Sequence, residues 1–420
     1  MDNSNPNKGI TFAGEYILDE FAILKADSDL AVDVRNQLNA FYIYEDMYSP
    51  LITGTAVIRD TLDLPSLFGR GGKNLLRIKV RTPSYKSIEG FFHLYKIGDQ
   101  SLVKERTQIY TLNFVSLESM TDTSLHISKR FIGSPSQIAE DIYQTHLKTE
   151  KTITVSPSSN RTAYVSNYWS AITNLAFLAD NALSDKNTAD FVAFENRDGM
   201  NFVSVQSIFS QPILQDFIQT DYLMTEVAPG STSVVRDINL EFKQIQTLNV
   251  SHYYDFITDN DSGVVNSRSL IHDIVRKQYE VRDLSQRNDV KPLLNPNRLY
   301  TDKVIDSVRP RLIPTHKHFG LFEPEDLSNA RFLSRRIMHS KMLMGQKIEI
   351  DVMGRADYTV GKRVKLTINE LKNITSDMSD DDIKNKMLSG YYIITAIAHK
   401  FDGRAHTCKM ELMKDSVVST

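Results

Sequence analysis

The chain has 420 residues, a net charge of −3 and one cysteine, Cys408. With 41% apolar and 24% charged residues it has the composition of a folded globular protein, long enough at roughly 100–200 residues per domain for about two to four domains. The lone cysteine excludes a disulfide framework and any multi-cysteine zinc or iron–sulfur site and fits assembly in a reducing compartment, while the near-neutral charge argues against wholesale nucleic-acid binding.

In chain order, residues 10–125 read as β. Phe41–Tyr44, Leu51–Ile58 and Leu75–Val80 are short β-branched or aromatic runs, and Arg77, Ile78, Lys79 and Val80 alternate with the period of a half-buried strand. Phe91–Ile97 and Ile109–Leu117 continue the series, punctuated by Pro65, Gly69, Gly71, Gly72, Pro83 and Gly90. Ser134 and Pro135 then mark a helix start, followed by Ile138, Ile142 and His146. Asn167 is the expected cap of a second helix carrying Trp169, Ile172, Leu175, Ala176 and Ala179. Phe191–Phe194 and Phe202–Val205 flank Asp198-Gly199, a hairpin signal. Residues 240–325 read as long loops around short elements. A third helix is expected over 328–342, with Ser328 as cap and Phe332, Leu333, Arg336, Ile337 and Ser340 along one side. The end returns to β at Lys347–Met353, Arg363–Ile368, Tyr391–Ala398 and Thr407–Met413.

The two β stretches read as an internal repeat. Gly71-Gly72-Lys73 leads into Leu75–Val80, Glu89-Gly90 opens Phe91–Ile97, and Tyr110–Leu117 closes the unit. Gly361-Lys362 likewise leads into Arg363–Ile368, Ser389-Gly390 opens Tyr391–Ile397, and Thr407–Met413 closes it. The interval Gly90 to Leu112 equals that from Gly390 to Leu412, and the second copy carries a longer insert, Asn369–Leu388, with Asp380-Asp381-Asp382. The regions 75–117 and 363–413 are expected to be the same module, so that a trimer would present a pseudo-six-fold ring.

Motifs that carry chemistry fail on inspection. Gly69–Asn74 lacks the spacing and the Ser or Thr of a phosphate loop and reads as a turn. Asp259, Asp261 and Gly263 resemble the start of an EF-hand, but Val264 and Leu270 occupy the positions that need Gly and Glu. His316 and His318 share one face of an extended segment without further nearby ligands and read as a solvated loop. No Gly-x-Ser-x-Gly elbow occurs, and Cys408 lies inside an alternating strand, the setting of a buried thiol rather than a nucleophile. Carboxylates such as Glu323 and Glu325 could serve glycoside hydrolysis only at a spacing that sequence does not reveal. Arg331, Arg335, Arg336, His339 and Lys341 read first as a solvated helical face and second as a surface for an acidic partner. No catalytic, cofactor-binding or metal-ligating residue is assigned, and no cofactor. The polar Met1–Gly9 and the absence of a long apolar run predict neither a targeting segment nor a membrane anchor.

The order Ser134–Leu147, Trp169–Ala179, Phe194–Phe202, Ser267–Ile274 and Gly390–His399 resembles that of phage tail hub proteins, over about residues 40–415. That family includes the baseplate hub of contractile-tailed phages, with the late-control tail protein and the hub half of type VI secretion spikes as relatives. The resemblance implies an α+β, β-rich fold, with two similar antiparallel β-barrel-like hub modules and an intervening α+β region. It implies a homotrimer whose pseudo-six-fold ring joins hexameric tail tube proteins above to a trimeric central spike below, beside neighbouring baseplate proteins. DNA would pass through the lumen without specific binding, in a virion assembled in the host cytoplasm. The expected division is a first module at 1–125, a peripheral α+β domain at 126–235, an irregular connecting segment at 236–325 and a second module at 326–420. The alternatives are a hub in a tailocin or secretion-type injection machine and, from a different class, a peptidoglycan-cleaving enzyme.

Overall fold

The computed structural model describes residues 12–25, 31–67, 74–83, 87–104, 107–220, 225–227, 234–273, 277–289, 293–300, 309–315, 332–370, 384–403 and 405–418. The expectations for Gly69–Lys73, His316, His318, Glu323, Glu325, Ser328, Arg331 and Asp380–Asp382 lie outside these residues.

The first module comprises β1 (Ile17–Leu24), β2 (Leu38–Asp46), β3 (Thr53–Asp60), β4 (Leu75–Arg81), β5 (Ile88–Lys104) and β6 (Thr107–Ser116). β4 and β6 alternate strictly between buried and half-buried positions, so Leu76, Ile78, Val80, Tyr110, Leu112 and Phe114 enter one core. The peripheral region follows as β7 (Ile127–Gly133), α1 (Pro135–Asp141), β8 (Ile153–Val155), β9 (Thr162–Trp169), α2 (Ala171–Asp180), β10 (Phe191–Asn196) and β11 (Gly199–Ser204). Its core gathers Phe131, Ile138, Tyr143, Leu175, Leu178, Phe191 and Phe202. Next come β12 (Ile213–Ile218), β13 (Ile245–His252), β14 (Asn266–Asp273), β15 (Gln278–Ser285) and β16 (Arg309–Thr315). The chain closes with α3 (Leu333–Leu343), β17 (Gln346–Met353), β18 (Arg363–Thr367), β19 (Gly390–Asp402) and β20 (His406–Lys414).

The two β stretches have one topology. Side by side, the first runs β2-β3-β6-β5-β4 and the second β13-β17-β20-β19-β18, so both place five strands, numbered in chain order, as 1-2-5-4-3, with β14–β16 inserted after the first strand of the second copy. Registers agree as well. Gly90 faces Ile78 as Gly390 faces Leu366, and Leu112 faces Ala56 as Leu412 faces Ile348. The ladder slips at the same place, between Leu94 and Lys96 in one copy and between Ile394 and Ala396 in the other. The modules are fused edge to edge by antiparallel pairing of β2 with β19, which makes one thirteen-stranded sheet.

Several expectations need correction. Asn167 and Trp169 lie in β9, and α2 starts later because Ser170 adopts the extended cap conformation and accepts the Thr173 N–H. The first cap is as expected, since Ser134 and Gln137 form a reciprocal capping box around Pro135. In the hairpin, Asn196 pairs with Gly199, so Arg197-Asp198 is the turn and Gly199 opens β11. Gly199 has φ +139°, and a Cβ there would sit 2.0 Å from the Thr152 carbonyl oxygen. The described residues of 240–325 lie mainly in strands and short helices rather than in loops, because β13 joins the second module and β14 pairs with both β15 and β16. β14 alternates strictly in burial, but its inward positions are Ser267, Ser269, Ile271 and Asp273 and show no apolar period, and β15 is exposed or half-buried throughout. Asp259 and Asp261 belong to a short helix, Phe256–Asp261, capped by Asp255, and only Gly263 beyond it turns with φ +78°. The third helix begins at Leu333.

Candidate functional site

The residues that draw the units together converge on the seam between β2 and β19. Period-two alternation turns Phe41, Ile43 and Glu45 of β2 inward, opposite Phe401, His399 and Ile397 of β19, and all six are buried. Phe41 and Phe401 stack at 4.4 Å, and Phe401 stacks in turn on His406 of β20 at 4.0 Å. Each buried Phe contributes about 2–3 kcal/mol by area, so this stack is an apolar rivet across the modules.

Glu45 is the polar counterpart. Its carboxylate accepts Arg197 Nε at 2.7 Å and the Val360 N–H at 3.4 Å, and it also takes the Thr359 hydroxyl. Arg197 further donates to the Tyr358 carbonyl. One buried carboxylate thus binds the first module, the peripheral hairpin and the 354–362 loop of the second module. The rest of the hairpin tip reinforces the joint: Asn196 Nδ2 donates to the Val360 carbonyl at 3.0 Å, and Asp198 pairs with Lys362 at 2.7 Å.

A second cluster fastens the peripheral domain to the first module. Lys151 Nζ reaches Glu195 Oε1 at 2.5 Å and Glu118 Oε2 at 2.6 Å, and the Ser116 hydroxyl lies 2.6 Å from that same Glu195 oxygen. Glu195 Oε2 accepts the Ile52 N–H at 3.0 Å, and Glu118 Oε1 accepts the Thr149 hydroxyl at 2.7 Å. Burial raises Glu195 above the ordinary carboxylate range. Burial works the same way on Glu118, but the charge and hydrogen bond of Lys151 outweigh it and hold Glu118 low. Glu118, Lys151 and Glu195 line a cleft of about 1050 Å³ with Arg197, Asp198 and Lys362. All four carboxylate oxygens accept hydrogen bonds from the fold, so the pair works as a staple.

α3 supplies a third tie. Its arginines do not form a solvated face: Arg336 Nη1 donates to the carbonyls of Ala179 at 2.9 Å and Phe191 at 3.2 Å, and its Nη2 meets Asp180. A guanidinium thereby closes the C-terminus of α2, where the helix dipole favours a cation. Arg335 Nη1 donates to the Asn187 carbonyl at 2.9 Å, and burial pushes His339 below its ordinary range.

Sequence reasoning singled out Phe194–Phe202 as a motif without assigning its residues roles, and the structure puts Glu195, Asn196, Arg197 and Asp198 on four separate ties. It missed Glu45 and Lys151, whose partners lie far away in sequence. It also missed that His399, His406 and Cys408 meet in the seam, although the alternation His406-Thr407-Cys408 puts two of them on one strand face. Burial pushes the Cys408 thiol up to about 12 and both histidines well below their usual range, in line with the buried thiol read from the sequence.

No helix is long and apolar enough to cross a membrane among the described residues. No protein-family model matches the chain, and no curated protein matches it significantly by sequence. Solved structures do match. The tail protein from Neisseria meningitidis MC58 superposes with a TM-score of 0.54 at 10% identity, covering 95% of this chain and 97% of that one. The 43 kDa tail protein of prophage MuSo2 from Shewanella oneidensis superposes with a TM-score of 0.57 at 10% identity, covering 96% and 100%. At this identity the likeness is one of fold, and over nearly its whole length this β-rich, two-module chain shares the fold of these tail proteins.

Proposed function

We propose that the chain is a structural hub subunit of a contractile phage tail baseplate. Three copies close a pseudo-six-fold ring between a hexameric tail tube and a trimeric central spike, and DNA passes through the lumen during ejection. Its role is mechanical, with no reaction of its own, and its setting is the virion.

The observation that carries this reading is a mismatch between the two copies of the repeated module. In the second module, residues 396–402 of β19 pair with β2. In the first module the same stretch of β5, residues 96–102, pairs with β6 on one side, and among the described residues no strand pairs with its other edge. The counterpart of β2 is β13, and it ends the sheet, with β17 on one side and no strand on the other among the described residues. An edge that repeats an internal seam calls for the same seam between chains. Laying β13 of one protomer on β5 of the next repeats the β2–β19 junction, and three such steps alternate internal and external junctions six times around an axis. Ile97, Leu102 and Val103 are 43%, 79% and 52% exposed along this free edge and tip, as an unmated interface requires.

Mass measurement of the purified chain, alone and with its spike, tests the proposal, with reconstruction by electron microscopy as the direct view. A trimer with β13 added to β5 of its neighbour is the expected result. A stable monomer even with the spike bound overturns it.

A further inference from the structure

We propose that His399, His406 and Cys408 form a three-donor structural site for one thiophilic cation, Cu⁺ held by the three alone or Zn²⁺ with a water as fourth ligand, that locks the seam between the two modules.

The argument starts from strand geometry. His399 and Cys408 are direct cross-strand partners in the β19–β20 hairpin, and His406 precedes Cys408 by two residues, so all three side chains project from one face. That face is the buried one, and all three residues are 0% exposed. His399 Nδ1 lies 3.0 Å from His406 Nε2, and Cys408 Sγ lies 3.2 Å from the first and 3.6 Å from the second. Metal–ligand bonds of about 2.0–2.1 Å to nitrogen and about 2.3 Å to sulfur imply, for tetrahedral angles, N···N near 3.3 Å and N···S near 3.5 Å. Shifts of a few tenths of an ångström turn the observed triangle into a coordination face.

The tautomer agrees. His399 Nε2 is 3.0 Å from the Tyr358 carbonyl, which accepts only if Nε2 carries the proton. Nδ1 is then a bare lone pair aimed at the cluster, the arrangement that an outer carbonyl imposes on metal-binding histidines. Without a metal, the Cys408 S–H and the His406 Nε2–H compete for that one lone pair. A cation displaces the thiol proton and takes the His406 Nε2 lone pair once that ring carries its proton on Nδ1, so all three donors are used.

Charge and access fit a structural ion. A thiolate with Cu⁺ is neutral, and with Zn²⁺ it leaves a single positive charge. The nearby Arg197 is already balanced by Glu45 at 2.7 Å. The Phe401 ring covers His406 at 4.0 Å, and Gly354 leaves room on that ring, where a Cβ would come within 2.3 Å. The three donors are fully buried, so the ion enters as the chain folds. It would bind the β19–β20 hairpin at the point where β2 is joined, and would not depend on the hub reading.

The test is elemental analysis of the full chain, unfolded and refolded with Zn²⁺, with Cu⁺ under reducing conditions, or with chelator, then dialysed. Uptake of about one ion per chain is expected, with an X-ray absorption edge showing one sulfur and two nitrogen neighbours and a higher unfolding temperature than the chelator-refolded chain. Preferential uptake from a mixture of the two ions assigns the metal. Cys408→Ser and His406→Gln should each reduce uptake at least tenfold. Wild-type chain that refolds fully but retains less than a tenth of an ion in every condition overturns the site, as does equal retention by wild type and a folded Cys408→Ser. Should the variants fail to fold, the wild-type stoichiometry and absorption edge decide alone.

Discussion

Arg197, in the turn of the peripheral hairpin, donates through Nε to Glu45 of the first module at 2.7 Å, and the receiving carboxylate is fully buried. The pair couples two units that are 152 residues apart in sequence. Because Arg197 also holds the Tyr358 carbonyl, the same side chain reaches the second module. Removing one member of such a pair leaves an uncompensated charge inside the protein. Arg197→Met is expected to destabilise the chain by about 3–5 kcal/mol in denaturant unfolding. Glu45→Gln in the Arg197→Met background should recover part of that loss, since the stranded charge is then gone. Additive losses would show that the two residues act independently.

Arg336 provides a separate test, because it ties α3 to α2 by hydrogen bonds to main-chain carbonyls. Arg336→Ala should cost about 1.5–3 kcal/mol, the range for hydrogen bonds made by a charged group. The loss should be local. Hydrogen exchange is expected to rise at the C-terminal turn of α2 and in α3 and to stay unchanged in β4–β6. Uniform protection loss across all three would place α3 in the same cooperative unit as the first module.

These ties explain which parts of the fold could be read from sequence. Strands with clean alternation, such as β4 and β6, were legible because one face is buried and the other wet. The repeat was legible because Gly90 and Gly390 open equivalent strands and the distance to Leu112 and Leu412 is conserved. β14 and β15 were not, since the buried positions of β14 are mostly polar and β15 has no buried face. The α2 start was misplaced because Asn167 is as good a cap as Ser170 by residue type, and only pairing with β7 makes 162–169 a strand. Arg336 looked like a solvated residue because its acceptors are carbonyls, which carry no sequence signature. Glu45, Arg197 and His399 belong to the same class: each is meaningful only once three distant segments are superposed.

The free edge of β5 makes a prediction about assembly. Ile97 and Leu102 are exposed in the isolated chain and would be covered in the ring. Charged residues at such positions block edge pairing at little cost to the subunit. Ile97→Lys with Leu102→Lys is therefore expected to shift sedimentation toward monomer and leave the unfolding midpoint within the range of ordinary surface changes, about ±0.5 kcal/mol. Loss of assembly together with loss of fold would mean that these side chains belong to the core.

The second module carries a pH response in two adjacent buried groups. Lys414 Nζ donates to the carbonyls of Met387 at 2.7 Å and Ser389 at 3.0 Å and lies 4.6 Å from the Tyr392 ring centroid. Burial lowers it to about 7, and burial raises its neighbour Asp415 to about 6. The signs follow from which state binds more protons. Above about pH 7 the folded lysine is neutral while the unfolded one, with its ordinary value near 10.5, still holds a proton. Stability therefore rises with pH through that window, by up to about 1.4 kcal/mol per pH unit, and the gain is lost as pH falls through 7. Asp415 works in the opposite sense: its folded form keeps a proton that the unfolded form releases near pH 3.8, so its contribution is present in acid and lost as pH rises through 6. Lys414→Met should remove the alkaline rise and leave the acid branch, and Asp415→Asn should do the reverse while keeping an acceptor for the Leu294 N–H. Denaturant titrations from pH 4 to 10 on both variants check this, and an unchanged alkaline slope in Lys414→Met would assign that window to another group.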